Sequence, residues 1–182
     1  MNILIDILGS VVIAGILMIA IFNAETYQSQ ARFTSDSELQ LQQNAKTLAD
    51  IINYDLRKIG YEYENVPFIE ADSERISFYT DIDLNGSIDI VTYFLSDTSA
   101  AKGTNNPNDR ILIRVANTDT LKGPSLGLRK VKFSYLNKFY TPSTTFEEIR
   151  YVKAELWIES IEEVDDEYLF TYWEMTINPR NL

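Results

Sequence analysis

The first part of the chain is an apolar segment long enough to cross a bilayer, and no other feature restricts the fold as strongly. It reads ILIDILGSVVIAGILMIAIF, from Ile3 to Phe22, with one charged residue, Asp6. A helix of about 20 residues is about 30 Å long, which matches the hydrocarbon thickness of a bilayer. No Lys or Arg precedes Arg32 and no A-x-A site follows the segment, which disfavours a cleaved signal peptide. The sequence therefore predicts a helix that lies in a membrane or is covered by other helices.

The single acid of this segment requires a partner. The helix dipole favours an anion near the N-terminus by only about 0.3–1 kcal/mol, whereas a carboxylate at mid-membrane costs about 2.5–3.5 kcal/mol. A rigid helix directs its own terminal ammonium away from Asp6, so we expect the amine of another copy to pair with it. Small residues alongside would let such helices approach closely. The predicted assembly residues are Asp6, Gly9, Ser10, Ala14 and Gly15.

Composition excludes several classes of function. The formal net charge of −11 and the pI near 4.4 disfavour nucleic acid as a partner. The absence of Cys and His removes thiolate nucleophiles, imidazole bases and the usual zinc ligands. No arrangement of the remaining carboxylates and hydroxyls indicates catalysis, so we expect a protein that is not an enzyme.

The helical pattern continues beyond the apolar segment. No Pro or Gly occurs from Glu25 to Lys58, and Gly60 provides a C-cap. Apolar residues recur at helical spacing on one stripe, with polar residues opposite. We therefore predict one helix approaching 60 residues in length. The stripe consists of Leu41, Ala45, Leu48, Ile52, Leu56 and Ile59.

After Gly60 the apolar pattern changes to period two, which is typical of strands. Further strands are predicted at 128–136, 149–160 and 168–177. Because no second helix follows, the strands should pair antiparallel and pack on the helix. The predicted class is α+β: a long N-terminal helix with an antiparallel β-sheet head on its C-terminal half. We assign residues 1–28 to a transmembrane or filament-core helix and 29–182 to the head. The residues expected on the core face of the early strands are Ile76, Phe78, Ile82, Ile88, Ile90, Phe94, Ile111, Ile113 and Val115.

The stretch DIDLNGSID resembles the start of a calcium-binding loop. Asp81, Asp83, Asn85 and Asp89 occupy the spacing of oxygen ligands, with Gly86 at the turn. Strand register suggests a short loop with Gly86 at positive φ, which would place Asp81 opposite Asp89 on the outer face. Against calcium, the twelfth position is a threonine instead of a bidentate Glu. Calcium binding and a metal-free, solvated hairpin tip are therefore both open.

Several blocks together resemble the type IV pilin-like proteins, with the nearest likeness to the PilW-like minor pilins and the J-type pseudopilin of type II secretion. These blocks are the apolar helix with an early acid, then LQQNAKTLADIINYDLRKIGY, FYTDIDLNGSIDIVTYFLSD, LGLRKVKFSYLN and the ending INPRNL. The family acid is usually Glu, whereas this chain has Asp6. The family leader, cut after a Gly, has no counterpart in MNILIDI; with Asn2 as the first residue, Asp6 would be the fifth.

The resemblance implies a ladle-shaped subunit, major or minor, of a pilus-like extracellular filament or a pseudopilus. Such a subunit is held in the bacterial inner membrane by its helix and then extracted into a filament whose core is a helix bundle. Its partners would be further copies or other pilin-like subunits, and Asp6 would pair with a neighbour's terminal amine. The competing hypothesis is a single-pass, membrane-anchored binding protein that works as a monomer, with or without calcium in its acidic loop.

Overall fold

The computed structural model describes residues 3–123 and 126–182. Helix α1 extends without a break from Ile3 to Leu56, a length of about 80 Å at 1.5 Å per residue. The predicted apolar stripe is buried along its whole length, from Leu41 to Ile59, with exposures of 5% or less. Lys46, Asp50 and Arg57 lie exposed on the other side of the helix. The amphipathic part of the helix was therefore predicted correctly, although its end at Leu56 comes earlier than Gly60.

Two antiparallel sheets follow the helix. The strands are β1 (Phe68–Ala71), β2 (Arg75–Thr80), β3 (Asp89–Leu95), β4 (Leu112–Ala116), β5 (Asp119–Lys122), β6 (Leu128–Leu136), β7 (Tyr151–Val164) and β8 (Glu167–Ile177). The first five form one sheet in chain order, and the last three form a second sheet in the order β6, β7, β8. The predicted α+β fold, a long N-terminal helix with an antiparallel head, is confirmed, with the head divided between two sheets.

The head is built around the C-terminal half of α1. The inner face of β7 presents Val152, Ala154, Leu156 and Ile158, all fully buried, and both β7 and β8 contact the helix. The first sheet contributes Phe78 and its neighbours to the same apolar cluster. Burying these side chains is the main source of stability for a domain of this size. The helix and the two sheets therefore share one core.

The predicted inward face is wrong for β3 and β4. Ile88 and Ile90 are about 40% exposed. The residues that are buried instead are Val91 and Tyr93 on β3 and Leu112 on β4. A shift of one residue exchanges the two faces of a strand, and both faces of these strands carry apolar side chains, so the alternation alone did not identify the core face. The misassigned residues are Ile88, Ile90, Phe94, Ile111, Ile113 and Val115, whereas Ile76 and Phe78 are buried as predicted.

The end of the chain packs on the end of the helix. Gly60 has a φ of +75°, and a Cβ at this position would lie 3.2 Å from the backbone oxygen of Asn181 and 3.3 Å from Pro67. The Asn181 side-chain amide donates to the Ile59 carbonyl over 3.3 Å. Glycine is therefore required here both by the left-handed backbone and by the close approach of the final residues.

Candidate functional site

The apolar segment of α1 stands free of the head. Every described residue from Ile3 to Phe22 is exposed, and the segment is long and apolar enough to cross a membrane. An exposed apolar surface of this size is unfavourable in water. The helix can therefore serve as a membrane anchor or as the contact surface for other helices.

Three of the five predicted assembly residues form a strip on this segment, whereas Gly15, nine residues after Asp6, lies on the opposite side of the helix. Asp6, Ser10 and Ala14 follow one another at intervals of four residues, so they lie along one side of the helix. The Ser10 hydroxyl donates to the Ile7 carbonyl over 2.8 Å and needs no further partner. A Cβ at Gly9 or Gly15 would meet nothing within 4 Å. The strip leaves room for a neighbouring backbone, while the amine expected to pair with Asp6 lies outside the described residues.

A buried polar cluster joins the head to the helix. Asp55, on the last turn of α1, is 5% exposed. It accepts a hydrogen bond from the Tyr93 hydroxyl at 2.6 Å and an ion-pair hydrogen bond from Arg114 Nε at 2.5 Å. Burial, and then the neighbouring carboxylate, raise the pKa of the Tyr93 hydroxyl well above its usual range, so the hydroxyl remains a donor. Asp55 directly precedes Leu56 of the predicted apolar stripe, but no local pattern identifies its two partners on β3 and β4.

The acidic loop between β2 and β3 gathers three carboxylates. Ligand oxygens of Asp81, Asp83 and Asp89 all lie within 4.8 Å of one another. Among the residues that the structure describes, this is the only group of three such side chains that could hold a metal ion. Gly86 has a φ of +82°, as predicted, and Leu84 is also left-handed with a φ of +63°.

The predicted position of these carboxylates on the outer face is wrong. Asp89 pairs with Thr80, not with Asp81, and Asp81 and Asp89 are 2% and 6% exposed. The loop is longer than predicted, so Asp89 falls in the register that faces inward. Asp81 accepts hydrogen bonds from the backbone amides of Asn85 and Gly86 at 3.1 and 2.8 Å. The Asp81 carboxylate, which accepts hydrogen bonds from the amides of the turn, is therefore buried beneath the turn.

Asn117 supports the loop from the neighbouring strand connection, and sequence reasoning missed it. Its side-chain amide donates to Asp89 over 2.6 Å, while its side-chain oxygen accepts from the Ile90 amide over 2.9 Å. Its φ of +53° is typical of Asn in a tight turn. An Asn in a short connection between two strands is a recognisable sign of a tight turn in the sequence. Its contact with Asp89, however, depends on the pairing of β3 with β4.

The donor set suits a hard cation. Carboxylate and amide oxygens are the ligands that calcium prefers, and each carboxylate oxygen can bind an ion while also accepting a hydrogen bond. Two buried acids beside a third repel one another unless a cation or protons compensate the charge. Asp81, Asp83 and Asp89, with the Asn85 side chain, would hold the ion. Because hydrogen bonds already satisfy much of the loop, a metal-free turn explains the same contacts, and calcium stays a prediction.

A calcium titration tests this prediction. At a dissociation constant of about 10⁻⁴ M, a value typical of extracellular modules, 5 mM calcium should stabilise the head by about 2 kcal/mol. The melting temperature should rise by roughly 5 °C, since 1 kcal/mol corresponds to about 2–4 °C at this size. We expect Asp83→Asn to remove the rise without changing the midpoint in chelator, because Asp83 is exposed.

The control for the calcium titration is Asp119→Asn. Asp119 is another exposed acid and lines a cleft together with Asp83 and Asp89, and this variant should keep the calcium response. A midpoint that is the same in calcium and in chelator for the unmodified chain would remove the metal from this loop.

Comparison with protein-family models, with curated proteins and with solved structures gives no significant match to this chain. The architecture, a long apolar N-terminal helix with antiparallel sheets on its C-terminal half, is compatible with a pilin-like fold.

Proposed function

We propose that this protein is a structural subunit of a type IV pilus-like extracellular filament or of a type II secretion pseudopilus. The observation that carries the proposal is the division of one continuous helix into two parts. Every residue from Ile3 to Phe22 is exposed, and Asp6 and Ser10 carry the only polar side chains there, whereas from Leu41 onward the same helix is packed into a head. Lipid can cover the free part in a membrane, and sister helices can cover it in a filament.

The proposed route has two stages. The subunit is held in the bacterial inner membrane by its helix and is then transferred into an extracellular filament or a periplasmic pseudopilus. In the filament, Asp6 is neutralised by the terminal amine of a sister chain, and the small residues Gly9, Ser10, Ala14 and Gly15 let neighbouring helices approach closely. Chemistry on a substrate has no part in this function, and the partners are further pilin-like subunits.

A second candidate function is supported by the acidic loop. Asp83 and Asp89 line a cleft of about 460 Å³ together with Asp119 and Arg114. A protein anchored by α1 could present this cleft, with calcium bound nearby, to a ligand while remaining a monomer. The two candidates differ in what the apolar helix contacts. In the filament it contacts sister helices, and in the monomeric anchor it contacts lipid alone.

Self-association of the full chain in its own membrane tests the proposed function. We expect cell-surface material released by shearing to contain thin fibres in electron micrographs, with this protein identified in them by mass spectrometry. After removal of detergent the purified chain should form fibres or oligomers. A chain that stays singly dispersed in detergent-free buffer, with neither fibres nor attachment to lipid vesicles, would contradict the proposal. A chain that binds vesicles but remains monomeric would favour the anchored binding protein.

A further inference from the structure

The hairpin between β7 and β8 ends in an exposed group of carboxylates, here called the acidic tip. It consists of Glu162, Glu163, Asp165, Asp166 and Glu167, all of which are exposed. None of them forms an ion pair with another residue of the described chain. So dense a group of like charges repels itself and favours a cationic partner from outside the head.

The turn of the acidic tip is built from residues that suit it poorly. Val164 pairs with Glu167, so Asp165 and Asp166 form a two-residue turn. Their φ values of +55° and +65° define the type I′ geometry, in which Asn-Gly is strongly preferred. Two aspartates accept left-handed strain here and add charge. Compared with Asn-Gly, the Asp-Asp turn therefore gives up some hairpin stability and places two additional charges at the tip.

A cationic counterpart exists at the opposite end of the same head. Arg57, Lys58 and Arg180 line a cleft of about 570 Å³ beside the end of α1, with Asp50 as the one acid in its lining. This basic cleft lies in a chain whose net charge is −11. Arg57 and Arg180 are exposed, and neither makes an ion pair within residues 3–123 and 126–182.

The position of the two surfaces along the helix suggests how they meet. Asp165 accepts a hydrogen bond from the Gln30 side chain at 2.5 Å, so the acidic tip lies beside the part of α1 just beyond the apolar segment. The basic cleft lies about 40 Å farther along the helix, at Arg57. Within one molecule the two surfaces are therefore too far apart to touch. Two copies with parallel helices, offset by about that distance, would bring the tip of one to the cleft of the other.

We propose that the acidic tip of one copy docks into the basic cleft of a second copy, stacking heads along the filament axis. This inference deepens the proposed function and rests on it. A contact between two different patches is not closed by twofold symmetry, so it can repeat indefinitely, as a filament requires. The tip–cleft contact joins copies whose helices are offset by about 40 Å along the axis. Pairing of Asp6 with a sister's amine joins copies whose helices are offset by only a few residues. The two contacts can therefore be disrupted separately.

A lipid surface is a poor alternative occupant for the tip. With α1 in a membrane, Gln30 lies about 12 Å beyond Phe22, close to the headgroups. Anionic lipids there would repel the tip carboxylates. Charge complementarity between the tip and the cleft, both present in every copy, favours the second copy.

Disulfide cross-linking of the full chain tests the contact, because the natural sequence contains no cysteine. The variant Asp166→Cys/Arg57→Cys carries one thiol on the tip and one in the cleft. We expect oxidation of assembled material to give a ladder of covalent dimers, trimers and longer species. The matched control is Asp166→Cys/Lys46→Cys, whose second thiol replaces an exposed cation on α1 outside the cleft lining. Its yield should be at least tenfold lower.

Charge reversal provides a second measurement. Arg57→Glu/Arg180→Glu and, separately, Asp165→Lys/Asp166→Lys should each reduce head stacking at least tenfold, and mixing the two proteins should restore it. By contrast, Asp165→Asn/Asp166→Gly should weaken stacking while raising the melting temperature of the head, since it relieves the left-handed strain. Raising the salt concentration from 50 to 500 mM should weaken the contact in the unmodified chain.

The outcomes distinguish this inference from the proposed function. A Ser10→Cys variant reports helix packing independently of the heads. If Ser10→Cys forms covalent dimers but the tip–cleft pair gives no ladder and charge reversal has no effect, the stacking contact is wrong and the helix-based assembly stands. If neither the Ser10→Cys variant nor the tip–cleft pair gives covalent dimers, both the proposed function and the stacking contact are wrong.

Discussion

Replacing Asp6 with alanine is expected to reduce self-association of the full chain at least tenfold while leaving the head folded. In hydrocarbon a carboxylate costs about 2.5–3.5 kcal/mol at mid-membrane, and no Lys or Arg precedes Arg32 in the chain to offset it. If a sister's amine compensates that charge, each Asp6 links two subunits, and its removal deletes a link at every step. We expect the assembled fraction, measured by sedimentation after detergent removal, to fall at least tenfold.

The head should not respond to the Asp6→Ala change. The first buried residue of α1 is Leu41, about 50 Å farther along the helix. Trp157 and Trp173, the two tryptophans of the chain, both lie in the second sheet, so their fluorescence reports unfolding of the head. Asp6→Glu should retain assembly. Glu25→Ala, which removes an exposed acid just outside the apolar segment, is the matched control and should assemble normally. The monomeric anchored protein would be indifferent to the change, with no assembled fraction for either the unmodified chain or Asp6→Ala. Normal assembly of Asp6→Ala would contradict the pairing of this carboxylate with a sister's amine.

Replacing Asp55 with alanine is expected to cause the largest loss of stability of any single change considered for the head. Removal of one partner from a buried ion pair typically costs about 3–5 kcal/mol. Arg114, whose side chain is 18% exposed in the intact pair, loses the carboxylate that its Nε contacts, and the Tyr93 hydroxyl loses its acceptor. The corresponding drop in melting temperature is roughly 10 °C for a protein of this length.

Two further variants separate the contributions at this cluster. Asp50→Ala removes an exposed acid of the same helix and should change the midpoint by less than about 2 °C. Tyr93→Phe removes one hydrogen bond to a charged group while keeping the ring, and should cost about 1.5–3 kcal/mol. Thermal unfolding followed by tryptophan fluorescence measures all three. A midpoint for Asp55→Ala within 2 °C of the unmodified chain would show that the helix is held to the first sheet by apolar packing alone.

The core face of β3 and β4 could not be predicted from the sequence. The alternation that begins at Ile88 and continues through β3 offers two apolar faces, one with Ile88 and Ile90 and one with Val91 and Tyr93. Hydrophobicity favours the isoleucines, but the structure buries the other face. Tyr93 can be buried because its hydroxyl reaches Asp55, and Arg114 can face inward for the same reason. The identity of that partner, about 40 residues away in the chain, is not contained in any local pattern.

The acidic loop was likewise predicted in its composition but not in its orientation. The spacing of Asp81, Asp83 and Asp89 predicts that the three carboxylates converge, and they do. Whether they face solvent or the interior depends on the register of β2 and β3, and a single step of register exchanges the two. The support from Asn117 depends in turn on how β3 pairs with β4.

The sequence by itself determined the long helix, its division into an exposed apolar part and an amphipathic part, and the antiparallel strands that follow. These features arise from local periodicity and from the need to bury an apolar stripe, and both are readable along the chain. Only the tertiary structure decided the split into two sheets, the inward faces of β3 and β4, and the placement of an acidic tip and a basic cleft at opposite ends of the head. Those depend on which distant side chains meet, because a buried polar group is stable only where a partner satisfies it.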